Sequence, residues 1–291
     1  MSYSEAEPAI DLADYVLDFW QIAVRDSADV VPSQLYATDL LRIRFMIFDD
    51  RLLALLYGPS TSAHRKGLYL GDQVSFGATI LPTAARHLFG HDVADFRDLR
   101  INLGVVWPET EALAAQIWQA DFSQRVALLS RALRQRLADA TRASGNFLDA
   151  YAQLSFCHGE TNIGDISRRV GVSHRTLNRL FHAHVGMSPK ECARVLRLHK
   201  RLDTLRGRGL PDDAVEGFAD QSHWIREFKS LVGLSPHRYF SDLQSLHQME
   251  HSYWTGTALS HYMKPPAAVI RFPDWQARNH ARKKGTFNRD V

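Results

Sequence analysis

From Leu40 to Phe48 the apolar residues Leu41, Ile43, Phe45 and Ile47 alternate with Arg42 and Arg44, the period-2 pattern of a strand with one buried face. Short apolar runs at Leu52 to Leu56, Leu68 to Leu70 and Val74 to Ile80 are punctuated by Gly58, Gly67, Gly71 and Gly77, and predict further strands joined by tight turns. Leu81 to Phe89 predicts a short helix opened by Pro82 and closed by Gly90. Beyond Pro108 the spacing lengthens to three and four residues, through Leu113, Ile117 and Trp118 and then Val126, Leu129, Leu133 and Leu137. Two helices are expected there, connecting domains or pairing with a second subunit. Thr141 to Gly145 is the predicted linker.

Two later segments repeat at an offset of 47 residues. Leu177, Arg179, Phe181 and Val185-Gly186-Met187-Ser188-Pro189 recur as Trp224, Arg226, Phe228 and Val232-Gly233-Leu234-Ser235-Pro236. In each, an apolar ridge stops at a Gly suited to a left-handed cap, and a Ser-Pro pair starts the next helix. In the first copy Ile163, Ile166 and Val170 form the inner stripe of one helix, Gly171 makes the turn, and Ser173 caps a second helix with Leu177, Leu180 and Phe181 inside. That assignment puts Arg175, Asn178, Arg179 and His182 on the exposed side at i, i+3, i+4 and i+7. Their donors suit base edges and phosphates in a major groove, and Ser173 and His174 join the predicted DNA-contacting set.

Charge supports this. Residues 1–144 carry 14 Lys+Arg against 18 Asp+Glu, whereas Ser167 to Arg208 carries 11 basic residues and only Glu191 and Asp203 as acids. Such a cluster suits a polyanion. Residues 209–243 reverse the sign, with 3 basic and 6 acidic residues. The first unit and the helix after it are therefore expected to neutralise most phosphate, the second adding specificity or little.

Asp165-Ile166-Ser167-Arg168-Arg169-Val170-Gly171-Val172-Ser173 followed by Leu177-Asn178-Arg179-Leu180-Phe181 resembles the first recognition unit of the AraC/XylS transcription regulators. Gly217-Phe218-Ala219-Asp220-Gln221-Ser222-His223-Trp224 with Arg226-Glu227-Phe228, ending Gly233-Leu234-Ser235-Pro236-His237-Arg238-Tyr239, is similar to the second. The resemblance runs from Asn146 to Leu243. It implies that Arg175, Asn178 and Arg179 read bases in the first unit, that Gln221, Ser222, His223 and Arg226 do so in the second, and that Ser188 to Arg206 is the connecting helix. The chain departs from the family at Leu210-Pro211-Asp212-Asp213-Ala214-Val215-Glu216, where a Pro and acids stand in place of an apolar, Ala-rich support helix.

The fold class expected is α+β in two domains, a β-rich cupin-like N-terminal domain followed by an all-α double helix-turn-helix domain. The division is 1–108 for sensing or dimerisation, 109–144 for connecting helices and linker, 145–243 for DNA binding and 244–291 for a basic extension with Arg282-Lys283-Lys284. The front region resembles the family's sensor through Gly58-Pro59 and Leu81 to Arg100. The expected partners are double-stranded DNA, an unidentified small-molecule effector and a second copy in a homodimer, with RNA polymerase admitted for an activator; no membrane partner is expected. Lacking a signal sequence or long apolar run, the chain is placed in the cytoplasm.

An enzyme is the rival reading. Residues 1–144 hold only His64, His87 and His91, too few for a metal cupin, and no nucleophile motif or phosphate loop stands out. Cys157 and Cys192 read as packed thiols rather than the nucleophiles of an alkyl-transfer repair protein. His182 and His184, two apart on a helix, face different ways and suit no metal. No catalytic residue, metal or cofactor is therefore assigned. The other alternative is an interaction protein whose second DNA-binding unit has degenerated.

Overall fold

The computed structural model describes residues 2–24, 31–35, 37–48, 51–69, 73–138, 143–208 and 221–239. Its strands are β1 (Ser2–Ala6), β2 (Val16–Val24), β3 (Val31–Leu35), β4 (Leu41–Phe48), β5 (Arg51–Tyr57), β6 (His64–Tyr69), β7 (Gln73–Ile80) and β8 (Arg100–Asn102). Six of them form one antiparallel sheet in the order β1-β2-β7-β4-β5-β8, while β3 and β6 pair in a second. The predicted alternation in β4 is there, with Ile43 opposite Leu56 and Ala78, and Phe45 opposite Ala54 and Phe76. This face, with Phe19, builds the first core.

The other face departs from expectation. Arg42 and Arg44 are as buried as their apolar neighbours, and Asp18, Trp20, Met46, Leu55, Tyr57 and Ser75 are buried with them. The pattern of β4 is right, but the polar side does not look at water. Arg44 donates from Nη2 to Ser75 Oγ at 2.7 Å and from Nη1 to Tyr57 Oη at 3.4 Å, so its charge is housed by hydrogen bonds.

The helices of this region are α1 (Pro82–Phe89), α2 (Thr110–Gln119) and α3 (Phe122–Ala138). α1 opens on Pro82 and closes on Gly90 in the left-handed conformation, as the sequence predicts. α2 and α3 do more than connect: Leu113, Ala114, Ile117, Leu129 and Leu133 are in the same core as the sheet. Arginines strap α3 down. Arg125 donates to the Ile117 carbonyl at 2.9 Å and to Gln21 Oε1 at 2.5 Å; Arg136 reaches the Leu88 and Val106 carbonyls at 2.5 and 2.6 Å.

The remaining helices are α4 (Gly145–Phe156), α5 (Ile163–Arg169), α6 (His174–Val185), α7 (Pro189–Arg208) and α8 (Gln221–Val232). They surround a second core of Phe147, Leu154, Ile166, Leu177, Phe181, Leu198, Trp224, Phe228 and their neighbours, into which Ala37 of the N-terminal domain also inserts. Each buried aromatic ring contributes on the order of 2 kcal/mol by leaving water. Residues 209–220, where the sequence offers a Pro and acids in place of an apolar support helix, and the extension after 239 lie outside the described residues. Among the described residues no helix is long and apolar enough to cross a membrane.

Candidate nucleic-acid interface

The first unit assembles as its sequence predicts. Asn162 starts α5 by accepting a hydrogen bond from Gly164 N, Gly171 takes φ +69° in the turn, and Ser173 caps α6 by accepting from Thr176 N at 3.1 Å. A cap of this kind is worth about 1 kcal/mol. Leu177 and Phe181 are fully buried, with Leu180 beside them. That rotation leaves His174, Arg175, Asn178, Arg179 and His182 exposed together on one side of α6. Arg175 and Arg179 make no hydrogen bond or ion pair among the described residues, so two guanidinium forks face outward. Arg168 and Arg169 are exposed on α5, Arg168 paired with Asp165. Ser173 belongs to the set as a cap, its hydroxyl already engaged.

In the second unit α8 buries Trp224, Phe228, Leu231 and Val232 and exposes Arg226. Tyr239 closes the ridge, with its ring 5.6 Å from Phe228. The side chains of Gln221, Ser222 and His223 lie outside the described residues.

Four basic residues of the connecting helix are engaged within the protein. Arg201 lies over the Trp224 ring at 4.7 Å, Arg194 donates to Glu227 at 3.0 Å, Arg197 donates to the Gly159 carbonyl at 2.6 Å, and Lys200 pairs with Glu160 at 2.9 Å. Four cations counted as DNA-facing in the sequence thus bind α7 to its neighbours. Composition could not distinguish a cation over an indole from one in solvent.

Sequence reasoning also missed two contacts to the N-terminal domain. Ser188 and Glu191 form a capping box at the start of α7, with Ser188 N donating to Glu191 Oε2 at 2.8 Å and Glu191 N to Ser188 Oγ at 3.2 Å. Arg97 holds the same carboxylate. Burial works to raise the Glu191 carboxyl, but Arg97 and Ser188 outweigh it and hold it below its ordinary range. The Ser-Pro-Lys-Glu spacing was the available signal for the box. The second contact is His184, buried and stacked on Phe147 with centroids 4.2 Å apart, and 5.6 Å from the ring of His87 on α1. Burial, then the nearby His87 and Arg86, pull His184 down to about 4. His91 instead meets the edge of Phe96. Of the thiols, Cys192 is fully buried and Cys157 half-buried.

The model of a helix-turn-helix domain family matches residues 166–242. No curated protein matches the chain. Among solved structures the chain is similar to ToxT from Vibrio cholerae. An apo variant from strain SCE256 is 14% identical with TM-score 0.37, over 77% of this chain and 97% of that one. The protein from O395 is 14% identical with TM-score 0.37, over 82% and 97%. The wild-type protein from strain SCE256 with an unsaturated fatty acid bound is 12% identical with TM-score 0.36, over 82% and 95%. With its capped α6 helix, 47-residue repeat and family model matched over residues 166–242, the C-terminal part of this chain is an AraC-type helix-turn-helix domain.

Proposed function

We propose that the chain is a transcription regulator that reads a specific DNA sequence, with Arg175, Asn178, Arg179 and His182 on α6 contacting bases and phosphates. The observation that carries this is the pair of unengaged guanidinium groups one turn apart on the exposed side of a capped helix. Arg forks onto guanine and Asn onto adenine, and each such pair discriminates by about 1 to 3 kcal/mol. Arg226, with Gln221, Ser222 and His223, occupies the equivalent place on α8. Two such helices suit successive major-groove faces roughly 34 Å apart. With Arg194, Arg197, Lys200 and Arg201 engaged internally, Arg168, Arg169, Arg175 and Arg179 take a larger share of phosphate neutralisation.

Response to a small polar molecule through the N-terminal domain is part of the same proposal. What supports it is the buried sheet face bearing Asp18, Arg42, Arg44 and Ser75, together with Arg100, whose Nε and Nη2 are buried without a hydrogen-bond partner among the described residues. A purely structural core avoids such groups, and a ligand site uses them.

The test is gel-shift titration with a duplex selected by the full chain from a random-sequence pool. Arg179→Ala should weaken binding at least about tenfold and Arg226→Ala less. Equal losses would overturn the unequal roles of the two units. A log–log salt slope near zero would overturn DNA reading altogether.

A further inference from the structure

The 47-residue repeat pairs Ala183 and His184 of α6 with Ser230 and Leu231 of α8. Both pairs lie at the C-terminal ends of their helices, and the N-terminal domain touches both ends. On α6, His184 meets His87, and a methyl group at Gly186 would sit 2.7 Å from Pro59 Cγ and 2.9 Å from the Val93 oxygen. On α8, Ala37 N donates to the Leu231 carbonyl at 2.9 Å and Ala63 N to the Ser230 carbonyl at 3.4 Å.

The last four carbonyls of a helix have no partner within it. In α8, Gly233 N satisfies Lys229 O at 2.8 Å. The next two carbonyls are capped by a different domain. The segments that do this, Ala37–Asp39 and Ser60–Ala63, are tied together by reciprocal bonds between the Thr38 and Ser60 backbones at 2.8 and 2.7 Å. They are anchored to the other helices as well. His199 Nε2 on α7 donates to the Ala37 carbonyl at 2.8 Å, and Tyr151 Oη on α4 donates to Asp39 Oδ2 at 2.7 Å. One residue, Ala37, therefore bridges α7 and α8. Ala37 is wholly buried in the second core.

We infer that the N-terminal domain is a two-point clamp on the C-terminal ends of α6 and α8, and that Ala37, Tyr151 and His199 are positioning residues for the second reading helix. The chain has reason to need this. Leu210 to Glu216, just before α8, offers a Pro and acids where an apolar support would serve. The clamp gives α8 support from the front domain, and fixes the spacing of the two helices. Its bearing on DNA recognition rests on the function proposed above; its geometry does not.

The test uses full-length protein in two variants: Tyr151→Phe with His199→Ala, which removes two side-chain donors, and Ala37→Pro, which removes the N–H given to Leu231. Hydrogen exchange is followed by mass spectrometry, and hydroxyl-radical footprints are taken on a duplex that the unaltered chain selects from a random pool. The clamp predicts that α8 amides exchange about tenfold faster while α6 amides do not change. It also predicts loss of protection in one of two groove contacts. Unchanged α8 exchange in both variants, or equal loosening of α6 and α8, overturns it. If the unaltered chain selects no duplex, DNA reading fails, and exchange still decides the clamp.

Discussion

Arg97 and Glu191 form a forked ion pair across the two domains, Nη2 to Oε1 at 2.6 Å and Nη1 to Oε2 at 3.3 Å, on a carboxylate that also closes the first turn of α7. Both side chains are partly open to solvent, so screening limits the pair's worth to about 1 kcal/mol. Arg97→Ala should lower the melting temperature by a few degrees. A double-mutant cycle with Glu191→Ala should return a coupling near 1 kcal/mol that shrinks in high salt. A coupling indistinguishable from zero at low salt would show that the fork holds nothing.

His184 predicts a pH dependence. Its imidazole is pulled down to about 4 in the native state, and His87, first by burial and then by Arg86, is also lowered. The unfolded chain takes up the proton first, near pH 6.5. Stability is therefore full above that value and falls as the pH drops from about 6.5 toward 4, by roughly 2 kcal/mol after allowing for screening. Glu191 adds to the loss at the acidic end, because its lowered carboxyl stabilises the native state only while ionised. His184→Leu, which places here the residue found at the equivalent position of the second unit, should flatten the curve between pH 6.5 and 5. Urea titrations across that range measure it, and parallel curves for the two proteins would refute the assignment.

Gly186 takes φ +78° at the end of α6 and lies against Pro59 and Val93. Ala there meets both a left-handed backbone and a close approach, and should cost at least about 2 kcal/mol in chemical denaturation. Gly90 also has positive φ, but a methyl group there would have nothing within 4 Å. Gly90→Ala should cost only about 1 kcal/mol. Equal costs would mean that the domain contact at Gly186 is relaxed in solution.

Arg201 over Trp224 separates packing from phosphate contact. Arg201→Ala should weaken DNA binding while leaving the salt slope unchanged, whereas Arg179→Ala should reduce the slope by about one. If Arg201→Ala also reduces it by one, that side chain reaches phosphate in the complex.

The first recognition unit was legible almost residue by residue, because Ser173, Gly171 and Gly186 act locally and the apolar ridge of α6 has a single register. α1 was legible for the same reason, through Pro82 and Gly90. The burial of Arg42 and Arg44 was not, since the period of β4 says which residues share a side and nothing about what covers it. The internal contacts of Arg194, Arg197, Lys200 and Arg201 were not legible either, because counting charge does not reveal that Glu227, the Gly159 carbonyl, Glu160 and Trp224 lie beside them. Nothing near Ala37 in sequence foretells that its amide caps a helix nearly two hundred residues later. Such pairings arise only when two domains pack.

The clamp holds α6 and α8 by their C-terminal ends, whereas Arg175, Asn178 and Arg179 project from the first half of α6. The front domain and a duplex would thus approach each reading helix from different ends and could be present together. A signal received in front need not uncover a hidden surface. Altering the angle between two helices that are already exposed would suffice, turning a matched pair of groove contacts into a mismatched one.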